Sequence, residues 1–484
     1  MEFQAADLGA LAPHMVIAGT ALLVLLAEAF GPPGRKGYLA YLGLAGIVAA
    51  ALFTPSLFGP QRLGFSRMLA ADGFAAFFYF VTYAVGALTL LLSESYLRAE
   101  RADHGEYYAL VLLAMVGMML MAGATHLLLI FLGLETMSLA IYALAGYLRT
   151  ERGGEASYKY FLLGGFASAF LLYGIALIYG ACGTTQLHDV TAHFARVRGL
   201  TSSPMALVGV GLIVVGFAFK VAAVPFHAWT PDVYHGAPTA VTAFMATGVK
   251  AAAFSAFLRV FVTAFPSLHG EWSGAIWVLA LLTMTLGNLA AIAQTDVKRM
   301  LAYSSIAHAG YLLVGLVVGT PEASSGMLFY LLAYAFMNVG AFACVIMVGK
   351  FGQDNTGLDA YAGLGFKFPL LGLAMSVFLF SMAGIPPTAG FIGKFLIFKA
   401  AVNEGYYWLT IFGVLNSAAS VYYYLRVIVT MYFTEAPEKP LVEELRGGPS
   451  ATLATVLAGI GVLYLGVIPG AIVDLAREAV RHLS

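Results

Sequence analysis

Residues 219–244 read FKVAAVPFHAWTPDVYHGAPTAVTAF and continue an apolar run that begins at about residue 205. A run of about 20 apolar residues is long enough to cross a bilayer as an α-helix. This run carries a cation, Lys220, and a proline, Pro225, which removes a backbone donor and interrupts helical hydrogen bonding. Interrupted backbone at membrane depth is tolerated only where it lines a cavity or is buried in protein. The stretch therefore predicts a membrane protein with a functional site inside the bilayer.

The composition agrees with that interpretation over the whole chain. The 484 residues are 61% hydrophobic and 10% charged, with a mean hydropathy of +0.86, whereas a soluble domain carries about 25% charged residues. The formal net charge is zero, so no nucleic-acid partner is expected, and the lipid bilayer is the expected surrounding. Cys182 and Cys344 lie in separate apolar segments, so they are not expected to ligate an iron–sulfur cluster or to form a CxxC redox pair. No metal site is expected in the chain.

Apolar stretches of spanning length occur fourteen times, and they predict an all-α integral membrane fold with about 14 transmembrane helices. A membrane β-barrel would show shorter alternating segments instead. If successive loops alternate sides, one set carries 13 basic residues and the other 7, and the richer side is expected to be cytoplasmic, with both termini outside. The predicted spans are 12–30, 38–54, 73–92, 107–123, 126–147, 160–181, 205–227, 239–262, 272–293, 300–319, 325–349, 369–400, 406–433 and 451–474.

Two short motifs recur at similar offsets and indicate an internal repeat. Residues 219–225 and 380–386 both fit F-x-x-A-x-[VI]-P at an offset of 161, and Ala-Gly-Tyr-Leu recurs at 145–148 and 309–312 at an offset of 164. Spans 7 and 12 are five spans apart, and this odd offset would make the repeat inverted, with broken helices in spans 7 and 12, as in many transporters. Two proline kinks that only shape the bundle are the alternative. The predicted segments are 1–106 with spans 1–3, 107–262 and 272–433 as the two five-helix units, and 451–484 with span 14.

Four ionisable residues lie deep in these spans: Glu135, Lys220, Lys250 and Lys394. A charge at the bilayer centre costs roughly 2.5–3.5 kcal/mol on insertion scales, so such residues are expected to be functional. Desolvation disfavours the charged form, and a buried lysine near a carboxylate can therefore take up and release a proton. The pattern predicts a proton relay. A static Glu135–Lys220 ion pair that fixes helix registry is the alternative.

Three further residues are candidates for the same relay. His308 in span 10 and His227 just after the first break could pass protons between the lysines, although a buried histidine is as often a packing residue. Lys159 at the start of span 6 is either a point of proton uptake or an ordinary anchor on the positive side of the membrane.

The remaining charges in or near spans are interpreted as peripheral. Glu28 and Asp72 are close to span ends and are expected to face lipid headgroups. Arg259 and Arg426 are also near span ends, from which a long side chain can extend its charged end to the interface. On this interpretation Glu135 is the sole deep carboxylate.

Four motifs together resemble a known family: residues 131–147 (FLGLETMSLAIYALAGY), the opening stretch at 219–244, residues 300–313 (MLAYSSIAHAGYLL) and residues 381–395 (SMAGIPPTAGFIGKF). They are similar to the antiporter-like membrane subunits of proton-pumping NADH:quinone oxidoreductase, respiratory complex I, over spans 3 to 14. The resemblance implies that Glu135 and Lys220 form the family's ion pair and that Lys250 is the central relay lysine. It implies that Lys394 connects the relay to the outside, and that Lys159 and His308 also match a lysine and a histidine of the family.

Among the three antiporter-like types, the N type is the best match. The M type is expected to have a glutamate where this chain has Lys394, and the L type carries a long C-terminal amphipathic helix. The resemblance implies a bacterial cytoplasmic membrane, other membrane-arm subunits as partners, and proton translocation driven by quinone reduction elsewhere. It implies that NADH, FMN, iron–sulfur clusters and quinone bind partner subunits and that this chain binds no cofactor.

Three other functions remain open from the sequence. An Mrp-type cation/proton antiporter would need a Na⁺ site of carboxylates and carbonyls, and one deep carboxylate is a poor basis for it. A membrane subunit of a hydrogenase-type complex would use the same relay with another electron donor. A purely structural role in holding an assembly together would need no relay.

Overall fold

The computed structural model describes residues 5–31, 36–58, 62–196, 203–350, 352, 354–435, 441–481 and 483, and these residues are mostly helical. A short hairpin, β1 (Arg62–Gly64) and β2 (Leu69–Ala71), joins the second and third helices. The helices are α1 Ala5–Phe30, α2 Tyr38–Phe53, α3 Gly73–Ala99, α4 Gly105–Gly123, α5 Leu127–Ala145, α6 Glu151–Cys182, α7 Leu187–Arg196, α8 Pro204–Val221, α9 Trp229–Gly236, α10 Thr239–Phe244, α11 Lys250–Arg259, α12 His269–Ile292, α13 Val297–Val318, α14 Pro321–Val348, α15 Leu364–Lys367, α16 Pro369–Ala383, α17 Ala389–Asn403, α18 Tyr407–Phe433, α19 Pro449–Val467 and α20 Gly470–Val480.

The prediction of about 14 transmembrane helices is confirmed. Within the described residues, 13 helical segments are long and apolar enough to cross a membrane. The pair α16 and α17, interrupted between Ala383 and Ala389, supplies the fourteenth. The last span ends at Val467 and not at the predicted residue 474, because Pro469 interrupts the helix before the amphipathic α20 begins.

If the loops alternate between the two sides of the membrane, those on the same side are found to contact one another. Near one end of the bundle, Thr125 donates to the Arg67 carbonyl at 2.7 Å and Gln186 donates to the Ser66 carbonyl at 3.1 Å. Near the other end, Arg446 forms an ion pair with Glu100. These contacts fit a chain that crosses from side to side with every span. Three of the loop cations behind the predicted orientation, Arg35, Arg198 and Lys439, lie outside the described residues.

A repeated backbone contact supports the internal repeat. The loop that follows α6 forms an isolated β-bridge with the residue before α5, and there the Leu127 N–H donates to the Thr185 carbonyl at 2.9 Å. The loop that follows α14 forms the same kind of β-bridge with the residue before α13, and there the Val297 N–H donates to the Thr356 carbonyl at 2.7 Å. Each contact ties the end of the third helix of a unit to the start of its second helix. The boundaries of the predicted units stay a prediction.

The two broken helices end in the same way. Helix α8 is capped by Ala222, at φ +62°, and α16 is capped by Gly384, at φ +86°. The next residue in each case, Ala223 or Ile385, donates its N–H to a carbonyl five residues back, as in a Schellman cap. Alanine adopts this left-handed conformation only at a cost of about 1–2 kcal/mol, so the surrounding packing must impose it.

The caps correct the register of the repeat by one residue. The left-handed residues Ala222 and Gly384 are the structural equivalents, so the offset is 162 where the sequence motif suggested 161. In this register Lys394 corresponds to Asp232, and Lys220 corresponds to Met382. The two units therefore carry different chemistry at equivalent places.

Candidate functional site

Lys220 lies in the last turn of α8, directly before the first break, and is buried. Its amine donates to Ser138 Oγ on α5 at 2.8 Å and to the Tyr142 hydroxyl at 3.5 Å. The ring of Tyr160 lies 5.3 Å away. A cation is favoured at the C-terminal end of a helix, where the backbone carbonyls make a partial negative charge. The broken helix thus creates a position that can hold the lysine in either protonation state.

Glu135 lies one turn before Ser138 on α5 and is half-buried. Its carboxylate accepts a hydrogen bond from Ser168 on α6. The ion pair with Lys220 that the resemblance implies is not formed directly, because no carboxylate of the described residues lies within 4.0 Å of the Lys220 amine, although Glu135 is within electrostatic range of it. Ser138 occupies the place at the amine that a direct partner would take.

Lys250 is the first residue of α11 and follows a π-helical turn, Met245–Val249. It is buried, and its amine donates to the backbone carbonyl and, at 2.6 Å, to the Oγ of Ser305 on α13. Single π-helical turns inside α-helices occur frequently at functional sites. Here the turn directs the amine at the centre of the neighbouring helix.

His308 lies one turn beyond Ser305 on α13 and is buried. Its Nδ1 is 2.5 Å from the Tyr330 hydroxyl, and its Nε2 is 3.0 Å from the Tyr424 hydroxyl. It is within electrostatic range of both Lys250 and Lys394. The histidine is therefore in a position to connect the two lysines.

Lys394 is on α17, after the second break, and is buried. Its amine donates to the carbonyls of Met382 and Ala383, at 2.9 and 3.2 Å, and to Ser417 Oγ at 2.9 Å. The two carbonyls belong to the last turn of α16, where backbone acceptors have no helical partner. The second break thus repeats the principle of the first, with a lysine at the carbonyl end of a half-helix.

Two predicted candidates, His227 and Lys159, do not join this row. His227 is half-buried after the first break, and its Nδ1 has no hydrogen-bond partner among the described residues. Lys159 lies on the surface, 2.6 Å from Glu155 and 3.0 Å from Asp232. Burial would raise the pKa of Asp232, but hydrogen bonds from Lys159 and Arg299 hold that pKa below its ordinary value. The geometry fits a membrane-side anchor for Lys159.

Sequence reasoning was wrong about Asp72 and Arg259. Asp72 is fully buried and does not face headgroups, and Arg259 is 2% exposed and does not reach an interface. The guanidinium donates to both carboxylate oxygens at 2.9 Å and to the Ala122 carbonyl at 3.0 Å. A bidentate pair with further hydrogen bonds can offset the cost of burying both charges, which a position near a span end did not reveal.

Carboxylates near span ends are buried in the protein more completely than Glu135, which is half-buried. Glu94 on α3 is 3% exposed, forms an ion pair with Arg98 and accepts a hydrogen bond from Ser450 at 2.7 Å. Glu28 accepts from the Gly105 amide at 2.9 Å. Arg426 donates to the Ile292 carbonyl at 3.0 Å, at the end of α12. Each of these groups has a fixed partner inside the protein.

Tyr424 and Ser305 are site residues that the sequence reasoning did not identify. Tyr424 bonds both His308 and Ser304, and Ser305 holds Lys250. The Ser-Ser-x-x-His spacing of 304–308 places the two serines and the histidine on adjoining faces of one helix, and that spacing was the available signal. No comparable signal distinguishes Tyr424 among 26 tyrosines.

Comparisons with known proteins connect this geometry to one family. Residues 124–420 match the family described as NADH:quinone oxidoreductase/Mrp antiporter, TM. The chain is 51% identical over 480 residues to a protein of Trichlorobacter lovleyi named NADH-quinone oxidoreductase subunit N, covering 99% of this chain and 98% of that one. A chain of respiratory complex I from Thermus thermophilus with bound aureothin is 39% identical with a TM-score of 0.80, over 96% of this chain and 99% of that one. A chain of the Mrp complex of a Dietzia species has a TM-score of 0.84 at 21% identity, over 98% and 97% of the two chains, and that likeness extends to the fold alone.

Proposed function

This chain belongs to the N-subunit family of the NADH:quinone oxidoreductases, and on that basis we propose that it passes protons along Lys220, Lys250, His308 and Lys394. The charge of Glu135 controls this transfer. The protein is a proton-translocating, multi-pass membrane subunit of complex I, and it works beside other membrane-arm subunits. The Mrp-type alternative has less support, because the Mrp chain shares only 21% identity with this one.

One observation carries the proposal: the three relay lysines are buried and have only neutral oxygens as hydrogen-bond partners. Among the described residues, the amines of Lys220, Lys250 and Lys394 have no carboxylate within 4.0 Å. An ammonium ion buried without a counter-ion is costly. Static structural lysines would be expected to have such a partner, as Arg259 has in Asp72. Amines without one are suited to gaining and losing a proton.

The order of the relay follows from shared helices. Lys250 bonds Ser305, His308 lies one turn further along α13, and Tyr311 of the same helix has its ring 4.8 Å from the Lys394 amine. Helix α13 therefore connects the centre of the chain to the second break. Glu135 and Lys220 lie at the first break, among α5, α6 and α8. A change of charge at Glu135 would alter the proton affinity of Lys220 first and of Lys250 through it.

The cofactors and the orientation complete the proposal. We assign NADH, FMN, iron–sulfur clusters and quinone to partner subunits, with no cofactor in this chain. The excess of basic residues in one set of loops supports cytoplasmic loops on that side and both termini outside, in a bacterial cytoplasmic membrane. Moving one proton against about 150 mV requires roughly 3.5 kcal/mol, which is within reach of a conformational change that moves one buried charge.

Substitution of Lys250 tests the proposal. Lys250→Met keeps the volume and removes the titratable amine, and in the purified complex it is expected to abolish proton pumping through this subunit. The measurement is the NADH-driven pH gradient in proteoliposomes, normalised to the rate of NADH oxidation. Lys350→Met, at an exposed lysine, is the matched control and should pump normally. Unchanged pumping by an assembled Lys250→Met complex would contradict the relay.

A further inference from the structure

The helix that carries Lys250 has a second buried cation at its other end. Helix α11 begins at Lys250 and ends at Arg259, and a π-helical turn adjoins each end, at Met245–Val249 and at Val260–Ala264. A π-helical turn closes its hydrogen bond over five residues where an α-helical turn closes it over four, so each takes up one extra residue. If either turn moved or relaxed, α11 would rotate by about 100° about its axis. The chain connections alone therefore do not fix the direction of the Lys250 amine.

Lys250 and Arg259 hold α11 from opposite sides. They are nine residues apart, which is about two and a half turns, so their side chains leave the helix in opposite directions. The Lys250 amine is 2.6 Å from Ser305 Oγ on α13. The Arg259 guanidinium donates to both carboxylate oxygens of Asp72, directly before α3, at 2.9 Å, and to the Ala122 carbonyl of α4 at 3.0 Å. Polar contacts on opposite faces oppose rotation of the helix.

Arg259 is the one long side chain on its face of α11. The face of Lys250 carries two aromatic side chains, Phe254 and Phe257, and the ring of Phe257 stacks on Phe217 of α8 with centroids 5.0 Å apart. The opposite face otherwise consists of small residues, namely Ala252, Ser255 and Ala256. Small residues permit close helix approach, but they project too little to oppose rotation. On this face the ion pair is the contact that can define the register of the helix.

Asp72 is itself fixed in position. It is fully buried and caps α3, where it accepts a hydrogen bond from the Ala75 amide at 2.8 Å. The positive N-terminal end of α3 favours its negative charge. The Phe74 ring lies 4.7 Å from the Arg259 guanidinium. Replacement of a buried ion pair by neutral groups often leaves stability unchanged, and the best-attested use of such a pair is to fix a register.

We propose that Arg259 is a positioning residue for Lys250: its ion pair with Asp72 holds α11 in the rotation that places the Lys250 amine on Ser305. The inference rests on the proposed relay function of Lys250. Arg259 transfers no proton itself, because a guanidinium stays protonated in proteins. Without the ion pair, α11 could turn on its two π-helical turns, and the amine would leave Ser305.

Neutral replacement of the ion pair tests this role. Asp72→Asn with Arg259→Gln removes both charges and keeps hydrogen-bonding groups at both positions. The purified whole complex is expected to melt close to the wild-type temperature, but its NADH-driven pH gradient in proteoliposomes should fall at least tenfold per NADH oxidised. A cryo-EM structure of this variant should show the Lys250 amine out of hydrogen-bonding distance of Ser305.

A matched control neutralises a different ion pair inside the protein. Glu100→Gln with Arg446→Gln removes the pair that joins the end of α3 to the segment before α19. This variant should pump normally, with Lys250 still on Ser305. A structural effect common to all ion pairs inside the protein would lower pumping in both double variants alike.

Arg259→Lys decides the question if the neutral pair does not assemble. Lysine keeps a positive charge beside Asp72, so the buried carboxylate is not left unpaired, but it lacks the planar fork with which arginine binds both oxygens. Pumping per NADH oxidised is expected to fall at least threefold. Wild-type pumping by either assembled variant overturns the inference, and so does a loss of pumping with Lys250 still on Ser305. If Lys250→Met abolishes pumping in those cases, the proposed relay stands without the positioning role.

Discussion

At the scale of single residues, the three lysines of the proposed relay differ in the groups that bond their amines. Lys220 bonds side-chain hydroxyls on a neighbouring helix, Lys250 bonds one serine through its carbonyl and its hydroxyl, and Lys394 bonds two helix-end carbonyls. Carbonyls at a helix end stabilise an ammonium ion more than hydroxyls do, because they add the helix dipole to the hydrogen bond. Lys394 is therefore the one of these three lysines whose amine is held by helix-end carbonyls.

Substitution of Glu135 tests whether its negative charge controls proton transfer by the lysines. Glu135→Gln keeps the size of the side chain and its contact with Ser168, but it removes the negative charge near Lys220. Proton pumping normalised to NADH oxidation is expected to fall about tenfold, the effect of roughly 1.4 kcal/mol on the proton affinity of one relay group. The NADH-driven pH gradient in proteoliposomes is the measurement.

A neutral substitution elsewhere supplies the control for Glu135. Glu404→Gln makes the same chemical change at an exposed residue at the end of α17 and should leave pumping unchanged. Equal pumping by the Glu135→Gln and wild-type complexes would mean that the carboxylate does not control the lysines. In that case the hydrogen bond to Ser168 would be its only role.

At the scale of elements, small residues allow the helix pairs at the start of each unit to approach closely. Helices α4 and α5 meet at Gly117 and Gly133, and α12 and α13 meet at Gly287 and Gly310. Close approach through small residues is the common mode of helix packing in membranes. It fixes the position of α13, which carries Ser305 and His308.

The α12–α13 contact predicts a specific loss of stability. A Cβ at Gly310 would lie 2.5 Å from the Met284 backbone nitrogen and 2.8 Å from its Cα, and backbone cannot move aside as a side-chain end can. Gly310→Ala should therefore destabilise the protein by about 1–3 kcal/mol, as overpacking does. Gly274→Ala on α12, where nothing lies within 4 Å of the new Cβ, should have the same melting temperature as wild type or a higher one. Equal melting temperatures of the two variants would contradict this account.

The sequence predicted elements better than contacts, and the reason is physical. Spans depend on runs of apolar residues, so their number and the two proline breaks could be predicted from local composition. The bonding partners of a side chain depend on which helix faces meet, and hydropathy does not reveal whether a residue near a span end is buried. Asp72 and Arg259 are predicted to lie at the membrane interfaces but form an ion pair inside the protein. The contact of Ser138 with Lys220 also depends on how α5 and α8 pack against each other, which the local sequence pattern does not determine.

At the scale of the whole molecule, polar contacts join the two repeat units on the side of the basic loops. Asp232, at the end of the first unit's broken helix, accepts hydrogen bonds at 3.0 Å from both Lys159 on α6 and Arg299 on α13. Arg299 belongs to the second unit, so the carboxylate connects the two units. A contact that holds the units together should influence stability more than an ordinary surface ion pair would.

The charge state of Asp232 gives that contact a defined pH dependence. Its two cationic partners outweigh burial and hold its pKa below the ordinary value of 3.8, so the folded protein binds this proton more weakly than the unfolded chain does. Its contribution to stability is therefore complete above about pH 4 and is lost as pH falls through the folded-state pKa. The melting temperature of the wild-type complex should fall more steeply below pH 4 than that of Asp232→Asn, which lacks the titrating group and should be less stable at neutral pH. Glu155→Gln, which removes the other carboxylate beside Lys159 but contacts only the first unit, should keep the wild-type steepness. Parallel melting curves for wild type and Asp232→Asn across this range would show that the carboxylate does not hold the units together.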